Sequence, residues 1–311
     1  MKFDAPHFRD DAEARRYIEA LRWPDGRVCP HCGTVGGEYA TKREGRYRCG
    51  SKGCRKDFTV TTGTVMEASH VKLTVWLMAF YLMAASKKGM SAHQLHRSLD
   101  VTYKTAWFLA HRIRKAMETG GLTSPMGGPG GVVEADETYF GERVEWHKAS
   151  HRKGGRNKGR GPSGKRAIVA LVERGGSVRS FHVPSADKET VQGIVLENVH
   201  PETRLHTDES RLYGGLDGKL AAHETVKHSA GEYARGDVNT NSVEGYFSVF
   251  KRGMKGTYQH CAEKHLHRYL AEFDFRHNTR TKLGFSDAAR AKLAVQGAEG
   301  KRLTYRRTYS A

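Results

Sequence analysis

Three acids far apart in the chain, Asp136, Asp208 and Glu244, have types and surroundings that could do chemistry together. Asp136 sits in Gly131-Val-Val-Glu-Ala-Asp136-Glu137-Thr-Tyr-Phe140, where the Val-Val and Tyr-Phe pairs indicate a strand. Successive strand residues point to opposite faces, so Asp136 shares a face with Glu134 and Thr138, and Glu137 points the other way. Asp208 ends Arg204-Leu-His-Thr-Asp208, a short strand running into a loop. Glu244 lies in Asn239-Thr-Asn-Ser-Val-Glu244-Gly-Tyr-Phe-Ser-Val-Phe-Lys251-Arg252, which reads as a helix with Asn241 or Ser242 available to cap its start. Val243, Phe247 and Phe250 form its apolar stripe, and Lys251 returns to the face of Glu244 two turns later. Alone, those helix charges would read as a solvated face. Carboxylates gathered from two strands and a helix, however, repel one another and partly protonate unless a cation lies among them. Such a set is how a polynucleotidyl transferase holds two divalent ions, Mg²⁺ or Mn²⁺, which clamp the attacking and leaving oxygens of an in-line displacement at phosphorus.

A second group could bind metal. Cys29-Pro-His-Cys32 and Cys49-Gly-Ser-Lys-Gly-Cys54 are two close pairs separated by 16 residues, the spacing of a tetrahedral Cys₄ zinc ribbon holding one structural Zn²⁺. Reversible disulfides are the alternative. His31 is expected to be exposed rather than a ligand, and the lone Cys261 a buried apolar residue.

The elements around the acids follow an order. The Asp136 strand is followed by a hairpin, Lys165 to Glu173 and Ser177 to Val183 around Gly175-Gly176, then a helix from Asp187 to about Asn198. The Asp208 strand, a weaker strand from His223 to His228 and the Glu244 helix complete it. Three antiparallel strands, a helix, a fourth strand and then further strand and helix is the order of a ribonuclease H-like mixed sheet with flanking helices, an α/β (α+β) fold. After the Glu244 helix, Ala262 to His277 reads as helical.

The domains are expected at 1–26 (N-terminal helix), 27–65 (zinc ribbon), 66–119 (helical), 120–131 (Gly- and Pro-rich linker), 132–285 (catalytic) and 286–311 (basic tail). Val71 to Ala85 is apolar on all sides and reads as a buried helix. Ser91 to Leu99, a turn at Asp100-Val-Thr102, and Tyr103 to Met117 form a helix-turn-helix pattern. Tyr103, Lys104 and Trp107 stand at the start of its second helix, where DNA would be read. Plain helical packing fits the same pattern. Trp146 to Arg166 holds eight Lys or Arg and no acid. Arg152, Lys153, Arg156, Lys158 and Arg160 there could track DNA phosphates, or the segment could be a solvated loop.

With 52 Lys and Arg against 34 Asp and Glu, the net charge is +18, which favours a polyanion partner, either nucleic acid or an anionic membrane surface. The longest apolar run, Val75 to Ala85, has 11 residues, short of the roughly 20 that span a membrane. The charged N-terminus lacks a signal-peptide core, so a cytoplasmic protein is expected.

The chain resembles bacterial insertion-sequence DDE transposases with an N-terminal zinc ribbon and an ISXO-type integrase domain. The resemblance rests on Val133-Glu-Ala-Asp136-Glu-Thr-Tyr-Phe-Gly141, His206-Thr-Asp208-Glu209 and Val238-Asn-Thr-Asn-Ser-Val-Glu244. It continues in Phe250-Lys-Arg-Gly253, Gly256-Thr-Tyr258 and the stretch from Leu266 to Arg280. It implies a transposase that binds the terminal inverted repeats of its element through ribbon and helix-turn-helix, cuts there, and joins the freed 3′-hydroxyl to target DNA. Asp136, Asp208 and Glu244 would be ligands of two Mg²⁺, with Lys251 and Arg252 on phosphate. It implies a homo-oligomer on DNA, associated with the bacterial nucleoid, and no membrane. Two other readings stay open: a ribonuclease H-like nuclease that cuts without joining, and an inactive, domesticated DNA-binding protein.

Overall fold

In a computed structural model of the chain, residues 3–119, 124–142 and 164–304 are described. The architecture is mixed α+β, with eight α-helices and two sheets among those residues. It divides into two units, Met1–Thr119 with Gly284–Ala311, and Gly120–Leu283.

The first unit holds α1 (Asp11–Arg22), a three-stranded antiparallel sheet of β1 (Tyr39–Ala40), β2 (Arg46–Arg48) and β3 (Asp57–Thr59), and the helices α2 (Leu73–Ala85), α3 (Ala92–Leu99) and α4 (Tyr103–Met117). Helix α2 buries Trp76, Leu77, Phe80 and Met83 on several sides, as an evenly apolar helix must. Ser91 and Thr102 cap α3 and α4 through their hydroxyls, and Asp100 takes the left-handed conformation that ends α3. The turn between them is therefore encoded at both ends. Residues 286–311 were expected to be a basic tail, but Asp287–Gln296 forms an α-helix, α8, that packs on α2. Ala294 and Val295 are buried, and so is Arg290, which pairs with Asp287.

The second unit is organised on a five-stranded sheet in the order β6-β5-β4-β7-β8. The strands are β4 (Val132–Glu142), β5 (Lys165–Glu173), β6 (Val178–Val183), β7 (Arg204–Asp208) and β8 (Ala222–Val226). Strands β4, β5 and β6 are antiparallel, and β7 and β8 run parallel to β4, which gives the ribonuclease H-like order. Alternation along β5 serves two cores. Ala167, Val169 and Leu171 face Val191 and Val195 of α5 (Lys188–Asn198). Ile168, Ala170 and Val172 face α6 (Asn241–Gly253) and α7 (Leu266–Asn278).

Helix α6 enters the second core through Val243, Phe247 and Phe250, the stripe read from the sequence. Phe250 is fully buried, and removing such a ring costs about 3–5 kcal/mol. Asn278 at the end of α7 bonds both the N–H and the C=O of Val178, which satisfies part of the free edge of β6.

Residues 124–131 fall in the expected linker but join the body of this unit. Met126 is buried and pairs with Val199, and Gly127 and Gly128 donate to Glu173 and Thr203. Gly127 has φ +80°, and a Cβ there would stand 2.4 Å from the Thr203 hydroxyl oxygen. The glycines that suggested flexibility here permit a close approach of backbone instead.

Candidate active site

The register of the sheet brings the first two acids level. Glu134 of β4 pairs with His206 of the parallel strand β7, the last pair of that ladder. Two residues further along each strand, Asp136 and Asp208 are near enough for the charge of Asp208 to act on Asp136. Both are on the sheet face covered by α6. That helix carries Glu244 in its first turn and Lys251 and Arg252 in its last. An open cleft of about 770 Å³ lies between them, lined by Asp136, Glu137 and Thr138 on the strand side and by Glu244, Lys251, Arg252 and Lys255 on the helix side.

The electrostatics tie the acids together. Burial, and then the neighbouring charges of Glu137, Asp208 and Glu244, push the Asp136 carboxyl up to about 8, although it accepts the Glu137 N–H at 2.7 Å. Glu137 is also raised, first by burial and then by Asp208, while Tyr213 donates to it at 3.0 Å. Lys251 is lowered by burial and by Lys255 and Lys165, and held up by Asp136, which sets its ammonium within reach of that carboxylate's field. Glu244 is about half exposed, accepts the Thr240 hydroxyl at 2.9 Å, and has His228 Nε2 at 3.8 Å. Glu209 holds the His228 loop by accepting the N–H groups of His228 and Ser229 at 2.7 and 2.9 Å.

A set of three carboxylates in which one resists ionisation suits a hard divalent cation, whose charge relieves the repulsion and whose preferred ligands are oxygens. The donor chemistry therefore fits Mg²⁺ or Mn²⁺. The acids are set wider than the cysteines. Among the described residues, Cys29, Cys32, Cys49 and Cys54 are the group of His, Cys, Asp or Glu whose ligand atoms all lie within 4.8 Å of one another.

Those four sulfurs make up the zinc-ribbon site. Cys29 Sγ is 3.8 Å from Cys54 Sγ, and Cys32 Sγ is 3.7 Å from Cys49 Sγ. The Thr34 hydroxyl and N–H hold the Cys32 thiol down at about 6. Cys49 accepts the Ser51 N–H, yet burial and the neighbouring thiols push it up to about 12. Sulfurs so close compete for one negative charge, and zinc removes the competition. His31 is exposed and near the Asp57 carbonyl, outside the sulfur group, as expected. Arg46 and Arg48 beside the ribbon are paired with Asp57.

The other expected contacts fall as follows. Tyr103 and Lys104 are exposed at the start of α4, with Tyr103 stacked on His93, and Trp107 is half-buried against His111. Arg152, Lys153, Arg156, Lys158 and Arg160 lie outside the described residues. Asn241 and Ser242, offered as caps of α6, are both inside the helix, and Thr240 occupies the cap position without a side-chain cap bond. The capping acceptor comes instead from Glu134, an acid the sequence placed on the face of Asp136 but gave no task. His206 is fully buried between Arg174 and Glu224. Lys255 was missed, although its spacing of four from Lys251 was a readable signal.

Comparison with known proteins finds transposase domains in both parts of the chain. Residues 129–278 match the ISXO2-like transposase domain family, and residues 9–57 match the transposase zinc-ribbon domain family. A Halobacterium salinarum protein described as an uncharacterized protein in transposable element ISH50 is 29% identical over 288 residues, covering 89% of this chain and 94% of that one. An uncharacterized transposase-like protein of Haemophilus influenzae is 27% identical over 96 residues, 31% of this chain and 76% of its own length. A chain of a simian T-cell lymphotropic virus intasome structure, in complex with PP2A regulatory subunit B56 gamma, is similar over 58% of this chain and 66% of that one. The identity is 14% and the TM-score 0.28, a likeness too slight to bear on the fold.

Proposed function

This chain belongs to the ISXO2-like transposases with an N-terminal zinc ribbon, and from that premise we propose that it cuts and joins the DNA ends of an insertion sequence. The observation that carries the chemistry is Asp136, raised by burial and by the charges of Glu137, Asp208 and Glu244, at the wall of a cleft faced by Lys251. Asp136, Asp208 and Glu244 would hold two divalent ions, Mg²⁺ or Mn²⁺. When bound, such ions supply an activated nucleophile and a stabilised leaving oxygen for displacement at phosphorus.

The chain's own residues do the rest. Lys251 and Arg252, on the wall opposite Asp136, hold the phosphate oxygens of the scissile bond and oppose the charge that builds there. Burial makes the Lys251 ammonium a poorly hydrated donor, better suited to a phosphate than to water. Water cuts at the element's end, and the freed 3′-hydroxyl takes its place as nucleophile on target DNA. No side chain needs to form a covalent intermediate. Zinc ribbon and helix-turn-helix bind the terminal inverted repeats, with Tyr103, Lys104 and Trp107 at base edges and the basic segment around Arg152 to Arg160 on phosphates. Two ends must be cut and joined together, so the protein works as a homo-oligomer on DNA, in the bacterial cytoplasm at the nucleoid. No helix among the described residues is long and apolar enough to cross a membrane.

The test is a reaction of purified protein, labelled element-end DNA, a plasmid target and Mg²⁺. Joined products between end and plasmid are expected. Nicked ends without joined products would favour a nuclease, and binding without nicking would favour a DNA-binding protein.

A further inference from the structure

Glu134 stands two residues before Asp136 on β4 and is completely buried. A buried carboxylate must be compensated, and here the compensation comes from the helix that carries Glu244. One oxygen of Glu134, Oε2, accepts the backbone N–H of Ser242 at 2.7 Å and of Val243 at 3.1 Å. The other, Oε1, accepts the Ser242 hydroxyl at 2.9 Å. Those amides belong to the first turn of α6, where no carbonyl inside the helix can reach them. The helix has no side-chain cap of its own, because Thr240 gives its hydroxyl to Glu244.

Arg174, in the turn after β5, completes the joint. It donates to Glu134 Oε1 through Nε at 3.1 Å and Nη2 at 2.8 Å. The same guanidinium donates to the carbonyls of Asp237 at 2.8 Å and Asn239 at 3.2 Å, in the loop that leads into α6. One carboxylate thus joins the strand of Asp136 to the helix of Glu244, and one guanidinium joins that carboxylate to the helix's entry loop.

We propose that Glu134 and Arg174 are a positioning pair that fixes the register of the Glu244 helix on the Asp136 strand, and so sets the spacing of the acids for a divalent cation. The inference rests on the reading that those acids hold such an ion. Neither residue touches substrate; each acts through the backbone it holds.

The experiment measures Mn²⁺ binding to the full chain without DNA, from the resonance signal of free Mn²⁺, for wild type, Glu134→Gln, Arg174→Lys and Asp136→Asn. Asp136→Asn is expected to lose the site. Glu134→Gln is expected to weaken Mn²⁺ binding about 10- to 100-fold, the range seen when groups that orient metal ligands are removed. Its end-DNA nicking should recover as Mn²⁺ is raised, with zinc content and end binding unchanged. A merely structural role would instead lower the melting temperature and leave Mn²⁺ affinity where it was. Arg174→Lys keeps a charge beside Glu134 but loses the planar fork, and it decides the question if Glu134→Gln does not fold. It should weaken Mn²⁺ binding as well, by a smaller factor. Loss of Mn²⁺ in Asp136→Asn with wild-type affinity in the folded positioning variants overturns the positioning role and leaves the metal reading standing. Equal Mn²⁺ binding by wild type and Asp136→Asn overturns both.

Discussion

The zinc ribbon and the acid cleft both gather ligand atoms from separated residues, but they are set to different tolerances. In the ribbon, four sulfurs lie within 4.8 Å of one another, and two of the four cysteines are buried. The ligands come from 26 consecutive residues, Cys29 to Cys54, so short loops alone bring them together. The three acids stand on two strands and a helix, Asp136 and Glu244 lining the cleft and Asp208 at the end of β7 near Asp136. They are not drawn to that closeness. Their cleft is open and has a cationic wall. A closed set of soft ligands holds one ion and admits nothing else. An open set of hard ligands leaves coordination positions for a nucleophile and a phosphate. Rigidity therefore has a different source at each site. The ribbon gets it from the metal itself, whereas the cleft must get it from the sheet and from α6.

The largest effect should follow from breaking the ribbon. Purified protein should carry about one zinc per chain, and Cys49→Ser should lose it together with the fold of residues 27–65, since metal binding in such a module is its folding free energy. A Cys49→Ser protein that keeps its zinc and its resistance to proteolysis would remove one side of the comparison. On the cleft side, Lys251→Ala should slow nicking about 100-fold, the magnitude of losing one oriented charge at a developing anion. Mn²⁺ affinity should stay as in wild type, because the role proposed for Lys251 is to hold phosphate and not metal. Loss of Mn²⁺ binding in that variant would contradict this division of work.

A smaller effect tests the layer behind the cleft. Asp274 of α7 accepts from Ser180 and Tyr246, and burial pushes it up to about 7. A carboxyl raised in the folded state favours folding while it is protonated. Its contribution is full below its unfolded value near 4 and is lost as pH rises through about 7, at about 1.4 kcal/mol per unit. Asp274→Asn should flatten that decline in denaturant melts between pH 4.5 and 7.5, and equal slopes for both proteins would contradict the assignment. The smallest effect is expected at Lys255. Lys255→Ala should weaken DNA binding a few-fold on all sequences and reduce the salt slope by about one. Altered sequence preference would instead place Lys255 at a base.

What the sequence made legible follows the same division. The cysteine pairs and the α6 stripe of Val243, Phe247 and Phe250 are local periodicities, and both are present in the structure. Strand alternation gave Glu137 no place beside Asp136, yet both line the cleft. The strand order could be read because hairpin, helix and parallel return follow one another with short connections. The cap of α6 could not. Sequence offers a helix only its own neighbours as caps, and here the acceptor lies 108 residues away on β4. Arg174 was invisible for the same reason, since nothing local marks it as the partner of Glu134. The expected linker and tail failed through composition. Gly and Lys-Arg content suggested mobility, while Met126, Ala294 and Val295 supplied enough apolar surface to dock.

Asp136, Asp208 and Glu244 are proposed to act as one metal-dependent cutting site. The most direct test is Mg²⁺-dependent nicking of labelled end DNA by wild type, Asp136→Asn, Asp208→Asn, Glu244→Gln and, as a control, Asp237→Asn. Asp237 is exposed and paired with Arg204 at 2.8 Å, outside the cleft lining. Each of the first three changes removes a charge with little change of shape, so end binding should persist while nicking disappears, and Asp237→Asn should nick like wild type. Near-wild-type nicking by Glu244→Gln with none by Asp237→Asn would contradict the claim and put the third ligand in the loop before α6.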